Sequence, residues 1–230
     1  MNEFLNDIYQ SPFFGLTITT AAYLFGVFVN KKLKTPLANP VVIASVIVIA
    51  IVAILDVPLE YYNKGGDMIA MLLAPATACL AVSIYRQREI LGKNLIPVLA
   101  GCSAASAASM GSVYLLCRLL KVDERLIVSV MPKSVTTPIA MGISEQHGGI
   151  VPVTVAAVMI TGITGAIAAP YLIKLFRIKN PVAAGIGIGS CSHALGTSKA
   201  IEIGETEGAM SGIAIGISGI MTTLFALIIS

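Results

Sequence analysis

The chain has 230 residues, of which 56% are hydrophobic and only 12% charged, with a formal net charge of +3 and a mean hydropathy of +0.88. A soluble domain carries about a quarter charged residues to clothe its surface, so this composition excludes an ordinary water-soluble fold and points to a chain solvated by lipid. The 15 Lys and Arg residues fall in short clusters between apolar runs, not in a stripe interleaved with aromatics, and so imply no nucleic-acid partner.

Met1–Asp7 is acidic where a secretory leader is basic, and no small-residue cleavage site closely follows the first apolar run; the first span is expected to stay in the mature protein. Charge-free stretches long enough to cross ~30 Å of hydrocarbon at ~1.5 Å per residue are Pro12–Val29, Leu37–Leu55, Met68–Tyr85, Leu95–Cys117, Val151–Ile173 and Ala209–Ser230. Two more apolar stretches are interrupted. Leu126–Ser144 holds Pro132, Lys133 and Pro138, and Val182–Ser198 holds Gly185, Gly187, Gly189, His193 and Gly196. The expected fold is all-α: one polytopic membrane helical bundle over residues 1–230, with six full spans and two interrupted or re-entrant segments. The alternative makes both interrupted segments full crossings, giving eight spans.

Lys and Arg accumulate in cytoplasmic loops. Lys31, Lys32 and Lys34, then Arg86, Arg88 and Lys93, then Lys174, Arg177 and Lys179 mark three such loops, placing the N-terminus and the Asp56–Asp67 loop outside. This scheme requires Leu126–Ser144 to enter and leave by one face, and it leaves the Arg118, Lys121, Arg125 loop outside, diluted by Asp123 and Glu124. A weak repeat runs at an offset of 56, aligning Arg118–Val122 with Lys174–Ile178, Ser134 with Ser190 and Gly148 with Gly204. Each copy is a plain span followed by an interrupted one. If the interruptions are re-entrant, the copies are oppositely oriented, as in many secondary transporters; chance similarity between apolar segments is the alternative.

Three segments carry chemistry. Pro75, beside Thr77, frees a backbone carbonyl or simply kinks its helix. In Met131-Pro-Lys-Ser-Val-Thr-Thr-Pro-Ile-Ala-Met141, Pro132 and Pro138 break the helix and bracket Lys133, Ser134, Thr136 and Thr137. A buried lysine is costly unless paired, hydrated or facing a ligand, and hydroxyls with half-helix amides are what a small anion needs; the plainer alternative is Lys133 snorkelling to the interface. In Gly187–Lys199, Gly187 and Gly189 permit close backbone approach, while Ser190, Ser192, His193 and Thr197 offer donors. His193 reads equally as a proton carrier or anion ligand and as a hydrogen-bonded packing residue. Cys79, Cys102, Cys117 and Cys191 show no CxxC or metal-ligand spacing and read as small apolar residues.

Pro132-Lys-Ser-Val-Thr-Thr-Pro-Ile-Ala-Met141 together with Ser192-His-Ala-Leu-Gly-Thr197 resembles the LrgB/CidB family. Asn39-Pro40, Gly65-Gly66-Asp67, Pro75-Ala76-Thr77 and Gly148-Gly149-Ile150 fall in the family's order, so the resemblance covers nearly the whole chain. It implies a smaller LrgA/CidA-like membrane partner and a holin- or antiholin-like role in murein hydrolase activity and lysis. Other members are associated with pyruvate, and a similar plant plastidial protein is a glycolate/glycerate translocator. The chain departs from the family at Ala74, Ser83 and Ala184, the last lacking an arginine, which leaves Lys133 as the main intramembrane cation.

The expected function is therefore a secondary transporter or exchanger of small monocarboxylates. Its site would lie where the Pro75, Lys133 and Ser190–Thr197 breaks converge, with Lys133 neutralising the carboxylate and the hydroxyls and His193 bonding it. The alternative is a holin-like modulator of membrane permeability. Enzymatic activity is not expected, since the adjacent Ser192 and His193 would face apart on a helix. No cofactor or metal is implied. The expected partners are a carboxylate solute, lipid, the LrgA/CidA-like protein and further copies of the chain, with the small-residue runs Ala104–Ser112 and Gly208–Gly219 permitting close helix contact.

Overall fold

A computed structural model describes residues 7–33, 40–72, 75, 78, 79, 82, 85, 86 and 88–229. Among these the regular structure is entirely helical: α1 Pro12–Leu33, α2 Pro40–Ile54, α3 Leu59–Ala70, α4 Arg88–Lys93, α5 Leu95–Leu119, α6 Glu124–Val130, α7 Thr137–Gln146, α8 Val151–Leu175, α9 Pro181–Ile203 and α10 Glu205–Ile229. Helices α1, α5, α8 and α10 are long and apolar enough to cross a membrane. The chain forms two compact units, residues 1–76 and 77–230.

In the first unit α1 packs on α2 and α3. Ala22 of α1 packs with Ala44 and Val48 of α2, and Gly15 lies so close to Gly65 of α3 that a Cβ on either would strike backbone of the other's helix. Thr19 Oγ1 and Tyr62 OH are hydrogen-bonded at 3.0 Å. The expected Asp56–Asp67 loop is a correction: α3 begins at Leu59, because Pro58 cannot continue a preceding helix but starts a new one, and Tyr62 and Gly65 lie on one α3 face that packs on α1. Helix α2 has 15 residues, about 22 Å at the α-helical rise and short of a full hydrocarbon thickness. Most of the expected Met68–Tyr85 span, with Thr77, lies outside the described residues; Pro75 is described and exposed.

In the second unit α5 and α8 are helices of 25 residues each that end in the same way. Lys121 and Arg177, 56 positions apart, adopt left-handed φ of 54° and 51°. Around them the bonds Val122 N to Cys117 O and Ile178 N to Ile173 O close equivalent turns at 2.9 and 3.0 Å. The following helices start on side-chain caps. Asp123 accepts from Arg125 N at 2.9 Å, and Asn180 accepts from Val182 N at 2.9 Å with Pro181 next.

Both interrupted stretches double back. After α6 the chain turns at Met131–Thr136, so that Met131 packs with Ile143 of α7, while Ser129 accepts from Ile150 N at 2.7 Å beyond the far end of α7. Helix α9 breaks at His193 (φ 41°, ψ −142°). There a Cβ on Gly196 would meet Ile188 Cγ2 at 3.0 Å, a contact that eight residues of straight helix, about 12 Å long, would forbid. Ile188 and Ala200, on opposite arms, pack against the same Ala169 of α8.

Candidate functional site

The two doubled-back segments approach α5 and α8 from opposite ends. The α6–α7 turn meets the later part of α5, through Met131 on Met110 and a 2.6 Å bond between Ser134 and Ser109, and the start of α8, through a Thr154–Ser144 bond at 2.7 Å. The α9 arms meet the opposite halves: Ile186 packs with Val98 of α5, Ser190 donates to Cys102 Sγ at 3.4 Å, and Ser192 fills a slot left by Gly165 of α8. Their tips converge on one residue. Val158 packs its side chain against Val135 and Ala140, and its carbonyl accepts from His193 Nε2 at 2.9 Å.

The first tip presents an unfinished helix terminus. Thr136 stands at the N-cap of α7 with extended φ −62° and ψ 147°, yet makes no cap bond through its side chain. Its Oγ1 is buried and unpartnered. Pro138 in the first turn has no amide hydrogen, so the open amides there are those of Thr137 and Ile139, on the positive end of the helix dipole. Lys133, within the turn that leads into α7, is half-buried. The ion pairs among the described residues, Arg118 with Glu124 and Lys199 with Glu202, leave Lys133 without a carboxylate. One ammonium, free amides and an unsatisfied hydroxyl at a helix N-terminus can together hold a small anion.

The second tip is already committed internally. A carbonyl can only accept, so His193 carries its proton on Nε2 and pins the tip to α8. Thr197 donates to the His193 carbonyl at 3.0 Å, so the 2.7 Å contact is Ser211 donating to Thr197. Of the residues singled out from sequence, Lys133, Ser134, Thr136, Thr137, Pro132 and Pro138 sit at the first tip, and Ser190, Ser192, His193 and Thr197 at the second, with Gly187 exposed and Gly189 backed onto Ser211 of α10. Pro75 belongs to the other compact unit. Sequence reading passed over Val158, Ser109 and Gly165. Only the Ser109 signal was present, inside the small-residue run; a valine whose carbonyl is the contact leaves no trace in a sequence. The four cysteines are free thiols.

Long apolar helices, a shortage of charge and polar breaks buried between helices define a multi-pass helical membrane protein. The LrgB-like family model matches residues 19–230, and the chain belongs to that family. It is similar to the antiholin-like protein LrgB of Bacillus subtilis, 36% identical over 94% of each chain. It is also 36% identical to the Bacillus subtilis protein YxaC over 91% of each chain, and 34% identical to antiholin-like LrgB of Bacillus cereus over 94% of each. No solved structure matches it.

Proposed function

We propose that this chain is an antiholin-like membrane protein that sets the permeability of the cell membrane, and through it murein hydrolase activity and lysis, working with a smaller LrgA/CidA-like membrane protein. The supporting observation is family membership over residues 19–230 with end-to-end similarity to proteins named antiholin-like LrgB. Deleting the gene in its host should change the autolysis rate and the murein hydrolase activity released, and re-expression should restore both. Unchanged autolysis in the deletion strain rejects the role.

A second reading, secondary transport of small monocarboxylates of the glycolate, glycerate or pyruvate class, is favoured by the buried unpartnered Thr136 hydroxyl at an open helix N-terminus beside Lys133. In this reading the two doubled-back segments are re-entrant hairpins from opposite membrane faces, an inverted pair derived from copies 56 residues apart. Lys133 neutralises the carboxylate, and Thr136, Thr137 and the first amides of α7 bind its oxygens. The His193 pin holds the opposing tip against α8 while the substrate occupies the first. Proteoliposome flux separates the readings: saturable, solute-selective uptake supports a carrier, and equal leakage of unrelated dyes of similar size supports a pore.

A further inference from the structure

We propose that the middle of the α5–α10 contact is a binding site for a small monovalent cation of the sodium class, held by neutral oxygens of Ser106, Ser218 and Thr222. These residues are 2%, 1% and 3% exposed. Thr222 Oγ1 donates to Ser106 Oγ at 3.1 Å, and Ser106 Oγ donates to the Ser218 carbonyl at 3.4 Å. Ser218 Oγ, one turn before Thr222 on the same α10 face, is buried and has no partner.

The direction of these bonds decides the sign of the ligand. Thr222 and Ser106 spend their protons within the cluster, so what these two hydroxyls keep free is lone pairs, and the unpartnered Ser218 hydroxyl adds its own with a proton that can turn outward. Hydroxyls whose protons are spent on one another or can turn outward suit a cation. No carboxylate in residues 88–229 is buried, and a neutral oxygen set compensates one positive charge far better than two, which favours a monovalent over a divalent ion. The position fits as well. One turn to either side on α5, Cys102 bonds Ser190 and Ser109 bonds Ser134, so the cluster lies between the contacts to both tips, at the mid-depth where carriers of broken-helix design hold coupling ions. The inference goes beyond the proposed function, and its test reads binding without transport.

The experiment uses the full chain purified in detergent, with thermal unfolding followed in sodium, potassium and choline chloride at one ionic strength and radiosodium binding measured directly. Sodium at about a hundredfold its Kd should raise Tm by roughly 5–10 °C over choline. Ser218→Ala should keep the choline Tm, because it removes only an unsatisfied hydroxyl, and lose the sodium increment and radiosodium binding; Thr222→Val should lose both as well. Ser198→Ala, which removes an exposed hydroxyl bonded within α9, should keep them. Equal Tm in sodium and choline with no radiosodium bound would overturn the site and leave a structural hydroxyl cluster. Full sodium response in Ser218→Ala would overturn it too, and if Thr222→Val fails to fold, radiosodium binding by Ser218→Ala still decides.

Discussion

Thr136 and Lys133 are three residues apart and both hold unspent capacity, one a hydroxyl without a partner and the other an ammonium without a carboxylate. Thr136→Val keeps the shape and removes the orphan, so it should leave the fold as stable as before or raise stability by about 1 kcal/mol. Lys133→Met should also fold, since it removes an unpaired charge. If the tip binds a carboxylate, loss of a charge-assisted hydrogen bond at Lys133 should weaken binding by about 1.5–3 kcal/mol, or roughly ten- to a hundredfold, and Lys133→Arg should fall between. Proteoliposome flux of glycolate and pyruvate, matched for reconstituted protein, checks this. Flux in Lys133→Met within about twofold of wild type removes Lys133 from the site and returns it to the snorkelling role.

At the scale of elements, helix α8 is shaped to receive the α9 tip. Gly162 faces the His193 ring and Gly165 faces Ser192, and a Cβ at either position would collide with that tip. Gly165→Ala should therefore destabilise the protein by about 1–3 kcal/mol through overpacking. Gly111 in α5 is the internal comparison, because a Cβ there meets nothing within 4 Å; Gly111→Ala should be neutral or stabilising by up to about 1 kcal/mol. Denaturant titration in detergent micelles measures both. Equal effects of the two substitutions would show that α9 does not seat against α8 at Gly165.

The whole-molecule question is how many times the second unit crosses the membrane. The start of α5 and the later part of α8 both pack against the α9 arms, and the later part of α5, at Met110, packs with Met131 just after α6 and with Ile143 of α7. If neither doubled-back segment is a full crossing, Lys93 and Lys179 share one face and Lys121 lies on the other. In a chain freed of native cysteines, an impermeant thiol reagent should label Lys93→Cys and Lys179→Cys from the same side and Lys121→Cys from the opposite side. Were Leu126–Ser144 a full crossing, Lys121 and Lys179 would share a face, so co-labelling of those two positions rejects the re-entrant reading of Leu126–Ser144 and with it the six-span count for the chain.

Composition alone determined the membrane class, because 12% charged residues cannot cover a surface in water. Local sequence also determined where helices break. Pro132 and Pro138 deny amide hydrogens, and the glycines around Ser190 let two arms and a neighbouring helix close up, effects that act within a turn or two. The caps of Asp123 and Asn180, made to amides two residues away, are equally local, yet they went unread in the sequence. Helix α3 was missed because what it gains comes from Gly15 and Thr19 on another helix. Tertiary structure decided which hydroxyls are already spent and which are free. Ser134 and Thr136 look alike in sequence, yet Ser109 occupies one and nothing occupies the other. Only packing brought both tips to Val158, because a backbone carbonyl has no side-chain identity to betray it and its partner lies 35 residues along the chain.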